Sequence, residues 1–150
     1  MESVNQQYDD AIQNIIKVYL AQMNSAMEIS KIICEHSEDN ELTGDHIICG
    51  LIYRLMVAMT DEEMNKSLNK ADDILNDSGS EYDSESDEEL SYEIPKEKRP
   101  LKMNNCLCEI CVKCRECIRG YESYETYDPM VTRFKDSIRT TCEKHNIYIS

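Results

Sequence analysis

The side chains of this sequence with spacing suited to chemistry are its cysteines and histidines, eight and three in number. Five cysteines lie close together, at Cys106, Cys108, Cys111, Cys114 and Cys117. Three Cys-x-x-Cys pairs overlap along Cys108, Cys111, Cys114 and Cys117, and Cys142 with His145 makes a Cys-x-x-His pair. Cys-x-x-Cys sets two thiolates about one turn apart, within reach of one tetrahedral Zn²⁺, and a second pair from a distant segment completes the four ligands. The expected cofactor is therefore Zn²⁺, with ligands drawn from Cys108, Cys111, Cys114, Cys117, Cys142 and His145. The minimal site takes two cysteines of the cluster with Cys142 and His145, and leaves the cluster pair open. Cys106, in a less usual Cys-x-Cys spacing, is the weakest candidate. No open coordination position is expected, so the ion is read as structural, stabilising a module of ~50 residues too small to fold securely alone. Cys34, His36, His46 and Cys49 flank a loop with irregular spacing. They read better as ordinary burial than as a second site, because cysteine is among the most buried residue types.

The elements that must position these groups can be read from periodicity. Apolar residues recur at Tyr8, Ile12, Ile15, Ile16, Tyr19, Leu20, Met23, Met27, Ile29, Ile32 and Ile33. Most follow the spacing of one helix face, which predicts a helix of about 28–32 residues. Thr43 reads as the N-cap of a second helix bearing Ile47, Ile48, Leu51, Ile52 and Leu55. Thr60 opens a capping box with Glu63 and a third helix. Near the C-terminus, Asp128-Pro129 starts a helix that carries Val131, Phe134, Ile138, Cys142 and His145 on one face. The fold expected is mainly α. Residues 1–75 form a helical dimerisation region, 76–100 an acidic disordered linker, and 101–150 a zinc-binding module ending in a helix.

Charge supports that division. Residues 1–75 hold 14 acidic and 5 basic side chains, a net −9. Residues 76–93 hold 8 acidic and no basic ones, and 94–150 hold 11 basic and 8 acidic, a net +3. The middle segment has no helix or strand period and too few apolar groups to fold. Ser78, Ser84 and Ser86 each precede an acid by three residues and resemble sites of acidophilic phosphorylation. Lys96, Lys98, Arg99 and Lys102 form a short basic patch. The chain lacks an apolar run of 18 residues, and its first residues are polar and acidic, so neither a membrane span nor a secretory signal is expected. Many cysteines without such a signal point to a reducing, intracellular setting, nucleus or cytoplasm.

The stretch Ile32-Ile33-Cys34-Glu35-His36, followed by Glu41-Leu42-Thr43-Gly44-Asp45-His46-Ile47-Ile48-Cys49-Gly50-Leu51, resembles the end of the long central helix, the second loop and the last helix of the histone fold. The resemblance spans about residues 8–56 and is nearest to core histones and histone-like transcription subunits. The family's first helix has no counterpart, and its basic loop residues are replaced by Ser37, Glu38, Asp39, Asn40 and Glu41. The resemblance implies pairing with another histone-fold chain. It does not imply DNA wrapping, since phosphate affinity needs clustered Lys and Arg.

No Gly-rich phosphate loop, Ser-His-Asp set or open metal site with a placed base is present, so an enzyme is not expected. The expected function is a zinc-binding interaction or regulatory protein, acting in transcription or DNA handling through protein partners. A protein partner or homodimer would use residues 8–75, with Ile12, Ile16, Tyr19, Met23, Ile47, Leu51 and Leu55 facing it. Weak nucleic-acid contact by residues 94–150 would fall to Arg115, Arg119, Arg133, Lys135 and Arg139, with Lys98 and Arg99. One alternative is a zinc-stabilised adaptor with an ordinary helical hairpin and no nucleic-acid role. Another is a thiol redox or metal-buffering protein.

Overall fold

A computed structural model describes residues 2–76 and 94–149. The acidic stretch 77–93, with Ser78, Ser84 and Ser86, lies outside the described residues, so its expected disorder and phosphorylation are not addressed by the structure.

Among the described residues five helices and two short strands follow one another: α1 Glu2–Glu35, α2 Gly44–Met56, α3 Asp61–Asn76, β1 Arg99–Pro100, α4 Glu109–Gly120, α5 Pro129–Lys144 and β2 Ile147–Tyr148. The chain is mainly helical, as the periodicity implied. Helix α1 is a single helix of 34 residues. Thr43 caps α2, its side chain accepting from His46 N while His46 Nδ1 accepts from Thr43 N. Asp128 caps α5 by accepting from Met130 N, with Pro129 in the first helical position. Thr60 accepts from Glu63 N at the start of α3. Each cap satisfies backbone donors that the first turn leaves without a helical partner.

The described residues fall into two compact units. One joins residues 2–25 to 59–76, and the other joins 26–58 to 94–149. The expected cuts at 75/76 and 100/101 do not coincide with these boundaries. In the first unit α1 meets α3 through Lys17 Nζ and Asp72 Oδ2, 2.8 Å apart. Ala21, Ser25, Ser67 and Ala71 are buried there.

The second unit contains the main core. Ile29 and Ile33 of α1 and Ile48, Cys49 and Ile52 of α2 cluster with Cys114, Cys117, Ile118 and Tyr121 of the α4 region and Ile138 and Cys142 of α5. Helix α1 approaches α2 closely at Gly50, where a Cβ would stand 2.0 Å from Ser30 Oγ and 2.5 Å from the Ala26 carbonyl oxygen. Leu51 and Leu55, expected to face a partner, pack instead against this core. The C-terminal part is thus no separate module, because its apolar faces are covered by α2.

Strands β1 and β2 pair in parallel, Arg99 opposite Ile147 and Pro100 opposite Tyr148. Asn146, at φ 54°, turns the chain out of α5 into β2. Asparagine tolerates the left-handed conformation common just past a helix end. Asn146 also donates to the Pro95 carbonyl. Residues 94–100 were expected to belong to the disordered linker, yet Arg99 and Pro100 are strand residues anchored at both ends. The Arg99 N–H donates to Asn146 O and that of Leu101 to Tyr148 O, each at 2.9 Å.

Candidate metal centre

The pair of strands delivers residues 101–108 to the end of α1. The helix closes at Glu35, with His36 N donating to Ile32 O at 3.1 Å and Ser37 N to Cys34 O at 3.1 Å. Ser37 Oγ also donates to Cys34 O at 2.7 Å. His36 therefore sits on the first residue beyond the helix, held by bonds on both sides. Asn104 fixes the incoming segment: its Nδ2 donates to Ile33 O at 2.9 Å, satisfying one of the carbonyls a helix end leaves open. Its Oδ1 accepts from Cys106 N at 3.1 Å. Arg115 of α4 holds the Asn104 backbone carbonyl from the other side, at 3.0 Å.

These contacts gather His36, Cys106, Cys108 and Cys111, whose ligand atoms lie within 4.8 Å of one another. His36 Nδ1 is 3.2 Å from Cys108 Sγ, 3.4 Å from Cys106 Sγ and 3.5 Å from Cys111 Sγ. Three thiols and one imidazole converging in this way are a group that can hold a metal ion.

Each sulfur also accepts one N–H. Cys108 N donates to Cys106 Sγ, Cys111 N to Cys108 Sγ, and Asn104 Nδ2 to Cys111 Sγ, all at 3.4 Å. Donors aimed at sulfur stabilise the thiolate, which is the ligating form. The effect is greatest at Cys108, the N-cap of α4. The backbone N–H of Cys111 leads in lowering its thiol to about 6, helped by the neighbouring thiols and His36 against the opposing cost of burial. Cys111 is pushed the other way, to about 12, chiefly by burial and also by the adjacent sulfurs. A cation among them would reverse that repulsion.

The expected ligands divide between this group and the core. Cys108 and Cys111 belong to the group. Cys114, Cys117 and Cys142 do not: they are buried in the hydrophobic cluster. Burial raises the thiols of Cys117 and Cys142 to about 11, and that of Cys114, beside Cys49, well above the usual range. The cause is the helix. Residues 109–120 are α-helical rather than a run of separate turns, and cysteines at every third position sweep round its surface, so only the first turn reaches His36. His145 caps the end of α5 and lines an open groove of about 1260 Å³, which His36 and Cys106 also line. Neither Cys142 nor His145 joins the four.

Cys106 and His36 take the places that the spacing rule gave to Cys142 and His145. Their signals were a Cys-x-Cys-x-x-Cys run preceded by Asn104, and a histidine at a helix end. His46 is occupied with capping α2, its Nδ1 accepting from Thr43 N and its Nε2 lying 3.1 Å from Asp39 Oδ2. Among the described residues no helix is long and apolar enough to cross a membrane. Compared with protein-family models, with curated proteins and with solved structures, the chain matches none.

Proposed function

We propose that the protein is a non-enzymatic interaction protein whose second compact unit is clasped by Zn²⁺ on His36, Cys106, Cys108 and Cys111. The observation that carries this reading is the converging four-ligand set. Zinc bonds of ~2.3 Å to sulfur and ~2.0 Å to nitrogen in a tetrahedron require N···S separations of roughly 3.5 Å. The three distances of 3.2, 3.4 and 3.5 Å suit that ion with little movement. Four protein ligands leave no position for substrate, which favours a structural role. The ion would tie the end of α1 to the start of α4, segments about 70 residues apart in sequence whose joining costs chain entropy.

Protein rather than nucleic acid is the partner this reading favours. Several basic side chains expected to contact phosphates are engaged within the chain. Arg99 pairs with Asp45, Arg115 with Asn104, Lys135 with Tyr124 O at 2.7 Å and Arg139 with Glu122 at 3.0 Å. The histone-like reading of residues 8–56 remains part of the proposal, supported by the order of a long helix, a loop and a shorter capped helix. A role in transcription or DNA handling rests on that resemblance alone.

Native mass spectrometry of protein purified without chelator tests the metal. One zinc per chain is expected in wild type, Cys117→Ala and Cys142→Ala. Loss of the ion is expected in His36→Ala and Cys106→Ser. Zinc retained by His36→Ala but lost from Cys142→Ala would overturn the assignment.

A further inference from the structure

We propose that the first part of α1 is a self-pairing surface, on which the same stretch of a second copy of this chain lies antiparallel. This rests on the reading of the chain as an interaction protein and names the partner; it does not depend on the metal.

Residues 4–16 of α1 are exposed on every side. A helix of that length, rich in β-branched residues and exposed to water, is marginal. Its apolar side chains are large and well exposed: Val4 66%, Tyr8 67%, Ile15 60% and Tyr19 50%. Tyr8, Ile12, Ile15 and Tyr19 are spaced 4, 3 and 4 apart, the seam of a helix pair. With Val4 they present roughly 600 Å² on this face at their observed exposures, below the ~800 Å² per partner of a standard interface and suited to a pair that forms at micromolar concentration.

The order along the seam identifies the occupant. Tyr-Ile-Ile-Tyr reads the same in both directions. In an antiparallel two-fold pair Tyr8 meets Tyr19 of the second copy, and Ile12 meets its Ile15. A surface that complements itself in this way makes a closed, isologous dimer.

Sedimentation analysis of the full chain at about 50 µM, a level at which interfaces of this size associate, tests the pairing. Wild type is expected as a dimer. Ile12→Lys and Ile15→Asp are each expected as monomers with at most a small loss of helical circular dichroism, as the start of α1 frays. Their equimolar mixture is expected to restore a dimer, because the antiparallel register brings Lys at 12 against Asp at 15. A monomeric wild type, variants that stay dimeric, or a mixture that stays monomeric would overturn the proposal. Zinc counted on the same samples separates the two readings: a monomer that holds its ion sinks the pairing alone, and a metal-free dimer sinks the metal clasp alone.

Discussion

Asp45 joins α2 to residues 99–102 through one carboxylate. It accepts from Arg99 Nη1 at 2.8 Å, Arg99 Nη2 at 2.9 Å and Lys102 N at 2.9 Å. Burial by itself would raise this carboxyl, but the bonds and charge of Arg99 and the Lys102 N–H outweigh it and hold the group below 3.8. The folded value is lowered, so the stability it confers is present above about pH 4 and is lost as pH falls through the folded value. Asp45→Asn is expected to cost about 2 kcal/mol at pH 7, given the charge-assisted bonds it loses. Urea unfolding from pH 7 to pH 3 should show the gap to wild type closing. A gap of equal size at both ends would assign the loss to packing instead. At this same scale the sequence disclosed the chemistry and only part of the ligand set. Cys108 and Cys111 were legible from Cys-x-x-Cys. His36 was not, since its role depends on where α1 ends and on Asn104 bridging to Ile33.

Helix α2 is the element on which the second unit depends, with α1 packed on it at Gly50 and α4 and α5 covering its apolar residues. Gly50 has ordinary negative φ, so its lack of a side chain serves proximity and not turn geometry. Gly50→Ala is expected to destabilise the chain by about 1–3 kcal/mol through overpacking against Ser30 and the Ala26 backbone. Gly44→Ala, with nothing within 4 Å of its Cβ, is expected to be neutral or stabilising by up to ~1 kcal/mol. Thermal unfolding of the two variants side by side checks this, and equal effects would contradict the close approach. Helices α1, α2, α3 and α5 were legible because caps and periodicity are local. Helix α4 was hidden by its cysteines: a repeat of three suits a ligand run as readily as a helix, and only packing against Cys49 and Ile138 decides between them.

At the scale of the whole chain, residues 26–58 belong with 94–149 across an acidic stretch, and no local pattern announces that pairing. Charge and composition suggested cuts where the contacts do not fall, because burial of α2 by α4 and α5 is a long-range choice. The zinc clasp of the proposed function acts at that scale, locking the end of α1 to the start of α4. X-ray absorption at the zinc edge of the full-length protein tests it most directly. Three sulfurs at ~2.3 Å and one nitrogen at ~2.0 Å are expected, with the nitrogen lost in His36→Cys. Four sulfurs in wild type, or a histidine shell unchanged in His36→Cys, would contradict it.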